Sequence, residues 1–266
     1  MRTLTPEEQE KYYAKYYALD LKAPAWGLKD LIMRGPMPVE NMILIENRDQ
    51  VLTCDVSPER IGYGYAPDGS GYVSTYTYMP EVTKDMIDWW FAWHGLESAR
   101  YVIWDKEDHY SVETTKADRL TDESIPMNER IWGVTHKVLE DTGCGPEEIV
   151  INFLDPSTVF SKEALESSDL ATIVCGNGST ALMCHTIFNA PDAPGILLCS
   201  HFWIGYNVVD HKLVRVIPEE VKLPEQVLRG LALHSIKEYS NMGQFLPYLY
   251  AETVEHKKVS LIPHMV

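Results

Sequence analysis

The chain reads as an α+β protein, a curved antiparallel sheet with one long amphipathic helix across its open face. Two observations predict this. Strand-length segments crowd the stretch from Arg100 to Ile217 with tight turns between them, and a helical stretch then closes the order of elements. The strands expected are Tyr101–Trp104, His109–Glu113, Val134–Glu140, Ile149–Leu154, Ala171–Cys175, Thr180–Phe188, Ile196–Val208 and Lys212–Ile217. Turn chemistry at Asp141–Gly145, Gly176–Gly178 and Val209–His211 makes neighbouring strands antiparallel. The closing helix spans Pro224 to Asn241, with Pro224 at its first turn and Gly243 just past its end. Between such a helix and such a sheet a cavity is expected.

The first third is mixed. Thr5, Pro6 and Glu8 open a capped helix over Pro6–Leu19. Pro67–Gly71 splits Gly62–Tyr78 into a hairpin, and Lys84–His94 is a short aromatic helix. A boundary near Pro80 gives a small mixed α/β N-terminal domain at 1–80 and a sheet-and-helix domain at 81–266.

Composition narrows the function. The 266 residues are 45 % hydrophobic, enough for a real core. Against 39 acidic residues stand 23 basic ones, and the net charge of -16 repels nucleic acid and anionic membranes. No apolar run approaches the ~18 residues of a membrane span, and the polar start is not a signal peptide. Five cysteines (Cys54, Cys144, Cys175, Cys184, Cys199) without a CxxC pair argue against a disulfide framework, so a cytoplasmic location fits best.

His234 and Glu238 share a helical face with Val227 and Leu231, where aliphatic side chains are the norm. Either the pair completes a site, or it lies on a solvated helix edge. On the strand from Val134, the period of two puts His136, Val138 and Glu140 on one face. Glu140 ends that strand beside a turn, where a carboxylate is ordinarily solvated. His109 follows the turn-like AspLysGluAsp and shares parity with Tyr101, and it too has a plain surface reading. Two histidines and two glutamates can together hold zinc without any cysteine.

Several separated blocks then carry a resemblance. TrpTrpPheAlaTrpHis (Trp89–His94), ArgTyrValIleTrpAspLysGluAspHis (Arg100–His109), HisLysValLeuGluAspThrGly (His136–Gly143), SerHisPheTrpIleGly (Ser200–Gly205) and LeuHisSerIleLysGlu (Leu233–Glu238) resemble the phloretin hydrolase and 2,4-diacetylphloroglucinol hydrolase family. The resemblance runs from about Tyr63 to Glu238. It implies a Bet v 1-like (helix-grip) catalytic domain after a smaller domain, a Zn2+ cofactor, and hydrolysis of the carbon–carbon bond between an acyl group and a phloroglucinol ring. Carried over by position, it implies His109, Glu140, His234 and Glu238 as zinc ligands, with Tyr101 and Tyr206 aimed at the substrate. Val112 stands where the diacetylphloroglucinol-degrading pattern has an asparagine, which favours phloretin or a close dihydrochalcone over diacetylphloroglucinol. The partner expected is this small polyphenolic ketone, and a homodimer is compatible with the sequence.

The chemistry follows from the substrate class. Protonating the acyl-bearing ring carbon turns the polyhydroxylated ring into a diketone-like tautomer, which leaves as a stabilised enolate. Metal polarises the acyl carbonyl or activates water, the tyrosines orient phenolic hydroxyls, and His201 is a candidate proton shuttle. His201 and Tyr206 have opposite parity in an unbroken strand, so both face inward only if that strand is bulged.

Trp89, Trp90 and Trp93 read as core or domain contact before they read as a substrate wall, and His94 as a hydrogen-bonded packing residue. His136 is a candidate partner to a metal ligand. His185, His211, His256 and His264 belong to no constellation, and the acidic run at Glu113–Glu129 reads as a solvated loop. Two rival functions are a metal-free carrier of hydrophobic ligands on the same fold, and a zinc hydrolase of ordinary amides or esters. The second is disfavoured by the lack of HExxH and GxSxG.

Overall fold

The structure, a computed structural model, describes residues 1–261, so His264 lies outside the described residues. Helix α1 (Pro6–Gln9) carries the expected capping box between Thr5 and Glu8, but the continuous helix to Leu19 does not form. The chain changes to a 3-10 segment at Tyr12–Ala18. The reason is Tyr13 and Tyr16, both buried: three residues per turn stack them on the same side. α2 (Leu28–Met33) follows, and then the expected hairpin, β1 (Gly62–Tyr65) and β2 (Gly71–Met79).

After α3 (Lys84–Trp93), the segment expected as a first strand is a helix, α4 (Ser98–Val102). Ala99 and Tyr101 through Trp104 are all buried, and such a run carries no period that separates strand from helix. β3 (His109–Thr114), α5 (Ala117–Thr121), β4 (Thr135–Glu140), β5 (Glu147–Leu154), α6 (Lys162–Glu166), β6 (Leu170–Asn177), β7 (Ala181–Asn189) and β8 (Ile196–Ile204) come next. The expected strand Ile196–Val208 is broken at Gly205, whose φ of 110° turns the chain into a separate ribbon, β9 (Tyr206–Val209) with β10 (Lys212–Arg215). The last element is α7 (Glu225–Thr253).

One antiparallel sheet of eight strands, ordered β1-β2-β8-β7-β6-β5-β4-β3, organises the molecule. The boundary expected at Pro80 falls between elements of this sheet, because β2 bonds to β8 along its whole length, from Gly71↔Ile204 to Met79↔Ile196. α7 runs beside β2 on one face. Leu228 meets Gly71, Ser235 Oγ lies 3.0 Å from Thr75 Oγ1, and Gly243 sits where a Cβ would come within 3.0 Å of Met79 Cγ. Gly243 therefore does not end the helix; it lets α7 approach β2, and the helix continues through Pro247 to Thr253. Both faces of the sheet are covered. Trp90, Tyr239, Phe245 and their neighbours fill the α7 side, while Leu52, Phe160 and Trp203 belong to the core on the other. Among the described residues no helix is long and apolar enough to cross a membrane.

Candidate metal centre

β3 and β4 pair so that His109 stands directly opposite Glu140. A register shift between His109 and Ser111 lets His109 and Val112, three residues apart, both point inward. His234 and Glu238, one turn apart on α7, come down on the same spot. His109 Nε2 lies 3.6 Å from Glu140 Oε2 and 3.6 Å from Glu238 Oε2, and His234 Nε2 lies 3.9 Å from Glu238 Oε2. Donor atoms of His109, Glu140 and His234 lie within 4.8 Å of one another. A tetrahedral zinc site with bonds of about 2.05 Å has ligand edges of about 3.4 Å, close to these separations.

The orphaned atom in this group is decisive. His109 is fully buried; its Nδ1 lies 3.2 Å from the Tyr101 carbonyl oxygen, while Nε2 has no hydrogen-bond partner. With Nδ1–H fixed on that carbonyl, the Nε2 lone pair is directed at the carboxylates. Burial pushes the carboxyl groups of Glu140 and Glu238 above the ordinary range, Glu238 further, and burial holds His109 well below the ordinary imidazole value. Burial alone would lower His234 too, but its hydrogen bond to Asp108 and the two glutamates raise it to about 9. Two dehydrated carboxyls beside two imidazoles form a cluster that a divalent cation would neutralise. The donor set fits zinc.

Tyr101, on α4, stacks on the His109 ring at 4.1 Å between centroids and donates its hydroxyl hydrogen to Glu140. From these groups a cavity of about 60 Å3 extends between α7 and the sheet. His136 lines it, on the same face of β4 as Glu140. His185 and Tyr239 line it too, and the sequence reading missed both. Tyr239 Oη lies 3.0 Å from His185 Nε2, and Ser200 Oγ lies 2.9 Å from His185 Nδ1. Burial holds the Tyr239 phenol protonated and pushes His185 down to about 3. Tyr239 follows Glu238 and could have been found by asking which neighbour of the helical pair also faces the sheet.

His201 and Tyr206 are not brought to this centre. Cys184 pairs with His201, and His185 with Ser200, so His201 and His185 stand on opposite faces of the sheet. His201 Nδ1 lies 2.9 Å from the Tyr72 hydroxyl on the far side. Tyr206, carried away by the break at Gly205, donates to Asp68 at 2.6 Å and lies under Arg215. His94 lies 2.9 Å from the Trp90 carbonyl through Nδ1, and Trp93 packs on Tyr13 and Arg100; the tryptophans of the block are core, while Phe91 and His94 also line the cavity.

The fold and the buried centre together define an α+β protein with a His–Glu cluster buried between one long helix and an antiparallel sheet. Residues 43–251 match the family described as DAPG hydrolase PhiG domain, and the chain belongs to that family. It is 40 % identical to a phloretin hydrolase from Eubacterium ramulus over 254 residues, covering 92 % of each chain. It is 29 % identical over 265 residues to a 2,4-diacetylphloroglucinol hydrolase from Pseudomonas protegens, covering 92 % of this chain and 85 % of that one.

Proposed function

We propose that the protein is a zinc-dependent hydrolase that cleaves the carbon–carbon bond between an acyl group and a phloroglucinol ring, with phloretin as its substrate. The observation that carries the metal is the unpartnered Nε2 of buried His109 facing Glu140 and Glu238. The greater similarity to a phloretin hydrolase supports the substrate, as does buried Val112, three residues past His109 on β3. A sheet gripping one long helix also supports the Bet v 1-like class, and five free cysteines suit a reducing cytoplasm.

His109, Glu140, His234 and Glu238 would hold the ion, and when bound it supplies a Lewis acid for the acyl carbonyl. The chain's own groups do the rest. Tyr101, tied to Glu140, presents a fixed phenol at the edge of the centre. Tyr239 keeps its proton on the hydroxyl beside neutral His185, positioned to deliver hydrogen to the ring carbon. Water adds its OH to the acyl carbon and its H to the ring carbon, so phloretin gives phloroglucinol and the matching arylpropanoic acid. His234 stands between the cavity and an outer groove of about 500 Å3 along α7, lined in part by Arg229 and Leu233. That groove is the proposed path for the acyl arm. A metal-free carrier would have to keep two buried carboxyls with no apolar purpose, which disfavours that reading.

Assaying phloretin and diacetylphloroglucinol side by side tests the reading. Faster release of phloroglucinol from phloretin is expected; activity confined to diacetylphloroglucinol would overturn the substrate, and no cleavage of either would overturn the reaction.

A further inference from the structure

Behind the four ligands lies a polar group that does not line the inner cavity. Asp105, Glu107 and Asp108 belong to the turn that delivers His109, while Lys237 sits between His234 and Glu238 on α7. Asp105 is fully buried and organises the turn: Oδ1 accepts the backbone N–H of Glu107 at 3.1 Å and of Asp108 at 3.3 Å, and its carbonyl accepts that of His109 at 2.8 Å. Its other carboxylate oxygen lies 3.0 Å from Lys237 Nζ. Lys237 also donates to Asp108, and the same Asp108 oxygen lies 3.4 Å from His234 Nδ1.

Two consequences follow. A buried carboxylate such as Asp105 needs a cation, and Lys237 supplies it from the helix, pinning the His109 turn to α7 at the point where the other two ligands leave it. A carboxylate on Nδ1 keeps the proton there, which frees the Nε2 lone pair of His234 on the side of Glu238.

We propose that Asp105, Asp108 and Lys237 form a clamp of positioning residues that sets the affinity of the metal centre: it holds the turn against the helix and His234 in its Nδ1–H tautomer. The proposal rests on the metal reading above. In the clamp the three act through His109 and His234, although Asp105, Asp108 and His234 also offer donor atoms within 4.8 Å of one another.

The test uses the full chain stripped with a chelator, with zinc affinity measured by competition against a chromophoric chelator. Asp108→Ala and Lys237→Met are expected to weaken zinc binding about 10- to 100-fold, the usual effect of losing a group that orients a ligand. Asp108→Asn keeps an acceptor oxygen and should fall between them and wild type. Glu148→Gln, exposed on β5 and paired with Lys137, should stay within about twofold of wild type. The imidazole nitrogen shifts of His234 in zinc-loaded protein should report Nδ1–H in wild type and a mixed tautomer in Asp108→Ala; a purely structural role would move the melting temperature without moving these. Should Lys237→Met fail to fold, the two Asp108 variants decide. Affinity within about twofold of wild type in both overturns the clamp. Wild-type protein that takes up no zinc overturns the metal reading, and the clamp with it.

Discussion

At His109 one ring nitrogen is satisfied by a backbone carbonyl and the other faces two carboxylates without bonding either. Leaving such a buried atom unpaired costs about 1–3 kcal/mol, which a bound cation would recover. Tyr101→Phe removes the hydroxyl that Glu140 accepts. Losing one hydrogen bond to a charged group, about 1.5–3 kcal/mol, should lower kcat/KM about 10- to 100-fold while zinc content is kept; steady-state kinetics with metal analysis checks this. His185→Ala should abolish most activity and His201→Ala should leave it within about threefold, because only the former shares the cavity with Tyr239. The metal-free protein should also show a pH signature. The pKa of His234 is raised to about 9 from 6.5, so its contribution to stability is complete below pH 6.5 and disappears as pH rises through about 9. Melting temperatures of chelated wild type and His234→Gln should therefore converge between those two pH values. At this scale it was the family resemblance, carried over by position, that singled out the proposed quartet and Tyr101, which the structure brings together; residue types and spacings alone also allowed plain surface readings. The sequence could not distinguish His185 from His201: they stand on adjacent strands, and which one faces the cavity depends on a register that no local pattern reveals.

Among the elements, α7 does the most to place chemistry. It brings the proposed ligand pair His234 and Glu238, with Lys237 and Tyr239, to one face of the sheet over a length set by close approach to β2. Hairpin turns announced themselves through glycine and aspartate, and β1–β2 and β4–β5 fell near where turn residues put them. α4 was hidden because the buried run Tyr101–Trp104 at its end carries no period, and the end of α7 was misplaced because Gly243 serves packing rather than termination. Another glycine matters for the centre. A Cβ on Gly230 would lie 2.5 Å from the Thr142 carbonyl oxygen, in the turn that follows Glu140. Gly230→Ala must push that turn from α7, and overpacking of this kind should destabilise by about 1–3 kcal/mol, read by denaturant unfolding. The outer groove gives a second prediction for α7. Leu233→Trp should raise KM for phloretin several-fold and leave an acetyl-bearing phloroglucinol much less affected, since on the proposed path only the longer acyl arm would reach the groove.

For the whole molecule, the sheet separates two chemistries. Its α7 side carries the buried imidazoles and carboxyls of the proposed centre; its other side carries Tyr72, His201 and Trp203 in a stacked aromatic layer with no group of the quartet. The sequence predicted the α+β class and the helix across the sheet, but not that β1 and β2 extend the same sheet, because strand order is set by contacts far apart in the chain. The central claim is that this one face hydrolyses an aryl ketone with the help of a metal. Product analysis of phloretin incubated with chelator-stripped protein, before and after one equivalent of zinc, tests it most directly: phloroglucinol and the arylpropanoic acid should appear in equal amounts only after zinc is restored, whereas an equal rate without zinc, or no phloroglucinol in either case, would contradict it.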